Sequence, residues 1–204
     1  MTTLIINNNE SNFTIGQNTL IAHIMKEAQC NTAGKQTVVS RVLTDGNDLN
    51  DAELDQITNF KATIFDEIEI ETISAISVAY ETNDTCIVFI DEIIELIEQL
   101  SDFYTKNLSK EANDHFAVLV DALQLFIERT GQIHTVLKFN LENIDNESQD
   151  YISTRDELLT ILREILPAKE KEDVSLLCDL LEYELAVNLV RWKNVTLENF
   201  QKTK

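Results

Sequence analysis

The chain has 204 residues, a formal net charge of −20 and 44% hydrophobic residues. That apolar share is ordinary for a globular protein, so the chain is expected to bury a core in spite of its charge. A field this acidic repels bare nucleic acid and anionic lipid, and Lys and Arg are scattered singly where a nucleic-acid binder would show a basic stripe.

The expectation is therefore a protein partner and neither a nucleic acid nor a membrane, the charge serving either solubility or the choice of a basic partner. Cys30, Cys86 and Cys178 lie far apart and form no Cys-x-x-Cys pair. The chain opens on no basic, apolar leader. The apolar run Ile87-Val88-Phe89-Ile90 is cut by Asp91-Glu92, well short of the roughly 18–20 residues that span a bilayer. Together these predict a reducing, cytoplasmic setting.

Leu4-Ile5-Ile6 is a short apolar run closed by Asn7-Asn8-Asn9 and followed by the alternating Phe13 and Ile15, which predicts two strands of a hairpin. Asn18 or Thr19 caps a helix through residue 29, with Leu20, Ile21, Ile24 and Met25 at helical spacing and a stop at Asn31-Thr32-Ala33-Gly34. Residues 37–43 are β-branched and predict a strand. Asp45-Gly46 is a turn signal, since glycine takes positive φ without steric cost. Residues 51–57 read as a short acidic helix or a turn. Ile68 and Ile70 alternate with Glu67, Glu69 and Glu71, the period of two of a half-buried strand over 64–72.

This order of elements over residues 3–73, with the turn Thr44-Asp45-Gly46-Asn47-Asp48-Leu49 where ubiquitin-like chains place a hairpin and a buried Leu, resembles the ubiquitin-like β-grasp fold. The resemblance implies a fold and no single function, because such domains serve as modifiers, adaptors and enzyme accessories. No Gly-Gly tail ends the chain, so a conjugated modifier is not expected.

From Ser74 the apolar period becomes helical, and Pro167 and Gly131 are the only breakers beyond Gly46. A helix over residues 85–106 carries Val88, Ile90, Ile93, Ile94, Ile97, Leu100 and Tyr104, with residues 73–84 as its extension or a linker. A second begins near Ser109 as its cap, carries Phe116, Leu119, Val120, Leu123, Phe126 and Ile127, and kinks at Gly131. The Asn-rich stretch 140–149 reads as a loop. A third helix covers 150–166 and ends at Pro167. A fourth runs from 170–173 to about residue 200. The predicted fold class is α+β: a small β-grasp-like domain over 1–73, then an all-α up-and-down helical bundle over 74–204.

No phosphate loop, zinc-protease or nucleophile-elbow motif occurs. His23, His115 and His134 fall in different segments. Asp91, Glu95, Glu157 and Glu182 would have to converge to hold metals, without the Glu-x-x-His spacing of a carboxylate-bridged bundle. The Asp45-Gly46-Asn47-Asp48 turn lacks the ligand spacing of a calcium loop. Cys178 sits among leucines and reads as an inert core thiol. No enzyme, cofactor or metal is expected.

Residues 173–192, DVSLLCDLLEYELAVNLVRW, are apolar around most of the helix circumference. Such a helix is buried, or presents an outer stripe to another chain. The candidate interaction residues are Leu177, Leu181, Glu182, Tyr183, Glu184 and Leu185. The expected function is a non-enzymatic interaction or adaptor module, self-associating as a homodimer through its C-terminal helices. The alternatives are an acidic neutraliser of a basic enzyme or toxin and a carboxylate-metal bundle enzyme.

Overall fold

The computed structural model describes residues 2–30, 36–141 and 144–204, leaving out the side chain of Cys30. The expected helix stop at 31–34 lies outside them. The chain divides into two compact units, residues 1–78 and 79–204.

In the first unit, β1 (Thr3–Ile6), β2 (Asn9–Glu10), β3 (Thr37–Thr44), β4 (Asn47–Asp48) and β5 (Glu67–Ser74) form one mixed sheet among the described residues. Its order is β2-β1-β5-β3-β4. The central pair β1/β5 is parallel and the others are antiparallel. Helix α1 (Ile21–Cys30) connects β2 to β3 and packs on β3 and β5. Its Ile21, Ile24 and Ala28 meet Leu4, Val42, Ile68 and Ile70 in the core. The Ile/Glu alternation of β5 thus does what its period requires, with Ile68 and Ile70 inward. The short acidic helix α2 (Asp51–Ile57) starts with a capping box: Asn50 accepts from the Glu53 amide, and the Glu53 carboxylate accepts from the Asn50 amide. This is the small α+β unit that the sequence predicts.

Both hairpins turn through two residues at positive φ, Asn7 and Asn8 (50° and 62°) and Asp45 and Gly46 (50° and 76°). Mirror-image turns of this kind match strand twist, and Asn, Asp and Gly tolerate them best. The turn side chains also hold β5. Asn7 exchanges hydrogen bonds with Thr72, while the Asp45 carboxylate accepts the Asp66 and Glu67 amides. The second strand differs from expectation. Phe13 and Ile15 join no ladder among the described residues but pack against the core, so their alternation serves anchoring, and β2 is the two-residue Asn9–Glu10.

The second unit is an up-and-down helical bundle. Helix α3 (Ala75–Thr105) follows β5 directly, so residues 75–84 are the helical extension and not the linker that the sequence left as alternatives. Asn107 at φ 55° ends it, with the Leu108 amide donating back to the Phe103 carbonyl. Helix α4 (Ser109–Asn140) passes through Gly131 without a break. Ser109 is its first residue and not its cap; the residue before it is Leu108, which makes no side-chain cap bond.

Helix α5 (Asp145–Glu170) corrects two expectations. It begins inside the stretch read as a loop, because Asp145 and Glu147 suit a helix N-terminus while Ile144, Ser148 and Tyr151 are buried. It also continues through Pro167. The proline forfeits one hydrogen bond, but Ala168 beyond it is buried, and Lys169 donates to Asn113 at 2.6 Å and lies over the Phe116 ring. The helix ends at Glu170, and Glu172 just beyond it takes a positive φ of 54°.

Residues 174–202 form the last helical run: α6 (Val174–Asp179), a π turn (Leu180–Leu185), α7 (Ala186–Arg191), a second π turn (Trp192–Leu197) and α8 (Glu198–Lys202). The wide turns have a geometric reason. Leu177, Leu181, Leu185 and Leu189 recur every four residues and all are buried. In a regular α-helix each such step overshoots a full turn by about 40°. A turn bonded five residues back, as the Ala186 amide is to the Leu181 carbonyl, holds more residues and keeps the stripe facing inward.

Polar contacts run antiparallel along both sides of this run. Toward α5, Asn199 meets Asp150, the Thr196 hydroxyl meets that of Thr154, and Asn188 donates to Glu157, which also holds Arg191. Toward α3, Asn83 donates to the Leu197 carbonyl in the second π turn, Lys193 pairs with Asp91, and Gln201 donates to Asp84. Between these rows, Trp192 packs edge-on against Phe126 and Tyr151, and Tyr151 stacks on His134.

Leu181 is 0% exposed. Leu181→Ala is expected to cost about 2–5 kcal/mol, and Leu181→Asp to unfold the bundle, while Val187→Asp on the outer face of the same run leaves the melting temperature within a few degrees. Circular dichroism melts of the three variants check this, and an unchanged melt for Leu181→Asp would mean that the residue faces water.

Burial, followed by the charges of Lys138 and Arg155, holds the His134 imidazole below its ordinary value of 6.5. A depressed imidazole contributes stability that is present above its unfolded value and lost as pH falls through the folded one. Wild type is therefore expected to lose more melting temperature than His134→Phe between about pH 7.5 and about pH 5.5, where the unfolded ring takes up its proton. Equal losses would show that the ring is solvated.

Candidate functional site

The six residues singled out in the last helical run separate by face. Leu177, Leu181 and Leu185 are buried within their own bundle, while Glu182, Tyr183 and Glu184 are exposed, Tyr183 at 69%. The near-continuous apolar circumference thus resolves into two stripes. The inner one is core. The outer one, Leu176, Tyr183, Val187 and Val190, is solvent-exposed.

The carboxylates considered for a metal do not gather. Asp91 holds Lys193, Glu95 accepts from Gln99, and Glu157 accepts from Asn188 and Arg191. Among the described residues no group of three or more His, Cys, Asp or Glu side chains is placed to hold a metal ion. His115 bonds the backbone carbonyl of Glu111, not its carboxylate, and meets Phe103 edge-on. The Asp45 carboxylate is taken up by the amides at the start of β5.

An apolar depression lies in the second unit, between α4 and α5. It encloses about 460 Å³. Phe116, Leu119, Val120, Leu123 and Ile127 of α4 form one wall, and Leu162, Ile165 and Leu166 of α5 the other, with Gln124 and Glu128 on the α4 lip. The helix period explains it. Phe116, Val120, Leu123 and Ile127 follow four-, three- and four-residue steps down one side of α4. Phe116 and Leu123 are buried at its floor, whereas Val120 and Leu166 stand 46% and 55% exposed at its edges.

Toward the end of the bundle the groove gives way, past Leu166, to a polar cleft of about 490 Å³ lined among others by Tyr104, Asn113, Lys169, Glu170 and Glu172. Lys169 is occupied there by Asn113, the Tyr104 hydroxyl and the Phe116 ring. The sequence shows the apolar stripe of each helix but not that the two stripes leave a gap between them.

Neither described thiol is prepared for chemistry. Burial pushes Cys86 up to about 11, and burial followed by the nearby Glu182 carboxylate raises Cys178. The thiolate is the reactive form, so neither is activated at neutral pH, and Cys178 is half-buried where the sequence suggested a core thiol. In a chain carrying Cys30→Ser and Cys178→Ser, Cys86 is expected to react with an aromatic disulfide reagent only as fast as the bundle opens. Reaction at the rate of a free thiol would place Cys86 at the surface.

No helix among the described residues is long and apolar enough to cross a membrane. No curated protein and no solved structure matches the chain. A family model does match, over residues 81–195, more than half of the chain and wholly inside the second unit, so the chain belongs to the family described as Domain of unknown function (DUF8042).

Proposed function

We propose that this protein is a non-enzymatic interaction module that receives a basic protein partner along the groove between α4 and α5. The observation that carries the reading is the groove itself: a continuous apolar depression of about 460 Å³ on a chain of net charge −20. Apolar floor with polar lips is the anatomy of a protein-binding surface, and the charge selects a cationic partner over an anionic one. An acidic neutraliser of a basic enzyme would need the same partner charge, but would act by its carboxylates alone and leave the groove without a purpose. The strand order β2-β1-β5-β3-β4 supports reading the first unit as a ubiquitin-like β-grasp domain, a second binding surface of the adaptor kind. A cytoplasmic setting accords with both.

The outer stripe Leu176, Tyr183, Val187 and Val190 favours a second reading, self-association through the C-terminal helices. Glu182 and Glu184 beside it would face their own copies in such a dimer, a repulsion that this reading must overcome.

A photo-reactive residue at Val120, introduced in the cell of origin, is expected to give a discrete adduct heavier than the chain and different in mass from two chains. The same residue at Val88, exposed on α3, is expected to give none. Equal adducts from both positions, or none from Val120, would dismiss the groove; an adduct of two chains would favour self-association.

A further inference from the structure

Resting on the groove reading, we infer that the occupant is a single amphipathic helix of about three turns, flanked by lysine or arginine. The length follows from the wall. Phe116 to Ile127 spans eleven rises of about 1.5 Å, or about 17 Å, which the same length of a third helix would cover. The form follows from the spacing. Val120, Leu123 and Ile127 on one side and Leu162, Ile165 and Leu166 on the other are ridges at three- and four-residue steps, and the ridges of a helix interdigitate with ridges so spaced.

The charge follows from the border. Glu128 stands on the α4 lip, and Glu170 and Glu172 line the cleft beyond Leu166. None of the three is in an ion pair among the described residues; Glu128 accepts only from Gln124. Lys169 is the one cation among the residues lining groove and cleft, and it is already held by Asn113, Tyr104 and Phe116. The residues lining groove and cleft thus carry three carboxylates against one lysine, a net negative border to an apolar floor. A second copy of this chain would bring its own −20 to that border, whereas a cation-flanked helix neutralises it.

The probes are three labelled peptides of one length, read by fluorescence anisotropy against the full chain. The first carries a Leu/Ile stripe at helical spacing flanked by lysines, the second the same stripe flanked by glutamates, and the third the lysines with the stripe replaced by serine. The first is expected to bind at least about tenfold tighter than either other at about 0.1 M salt, with its margin over the glutamate peptide shrinking at about 1 M, where exposed charges are screened. The double variant Val120→Gln, Leu166→Gln is expected to weaken it about tenfold or more, and Val187→Gln to leave it unchanged. Both changed groove residues are substantially exposed, and circular dichroism confirms that the fold is kept.

The outcomes separate the two claims. If the glutamate peptide binds as tightly and the groove variant weakens it, the groove stands and the inferred charge falls. If the lysine peptide binds the groove variant as well as wild type, or binds no better than the serine peptide, binding is to the acidic surface and the groove reading falls with it. If no peptide binds, both fall.

Discussion

The bundle depends on one constraint: the last helical run must keep a four-residue leucine repeat turned inward from Leu177 to Leu189. Leu177, Leu181, Leu185 and Leu189 sit on a spacing that a regular α-helix would carry off the core within a few turns. The π turn over Leu180–Leu185 removes that drift at the cost of poorer hydrogen bonding, and a second π turn follows the repeat over Trp192–Leu197. What they expose in backbone is met from other helices, as where the Asn83 amide reaches the Leu197 carbonyl. Trp192, Phe126, Tyr151 and Phe200 then fill the centre, and the helices around the run take their places from these contacts.

How much of this was legible depends on the length of the signal. The long apolar stripes of α3, α4 and the last run, and the Ile68/Ile70 alternation of β5, declare themselves because many residues agree. The misreadings are short-range signals overruled by tertiary contacts. Pro167 looks like a stop, yet Ala168 and Lys169 beyond it are held in place by the bundle. Asn-rich 140–149 looks like a loop, yet Tyr151 and Ser148 draw its second half into a helix. Phe13 and Ile15 alternate like a strand, yet the core claims them without a ladder.

The candidate surface was legible only in part. The apolar circumference of residues 173–192 was visible, and so was the choice between core and interface, but burial alone divides Leu177, Leu181 and Leu185 from Tyr183, Glu182 and Glu184. The α4/α5 groove could not be read at all. Val120 and Leu166 are ordinary members of apolar stripes, and whether two stripes close on each other or stand apart is decided by the larger side chains packed elsewhere.

The polar contacts flanking the last run have a further consequence. A leucine every four residues is a ruler whose marks all look alike. Slide it one helical turn, about 5.4 Å, and Leu181 drops near the place of Leu177 with little lost in apolar contact. Asn199 against Asp150, Thr196 against Thr154 and Asn188 against Glu157 break that translational ambiguity, since each would lose its side-chain partner in the shifted alignment. Leucine supplies cohesion to this bundle, but asparagine and threonine hold the index by which one alignment is told from the next.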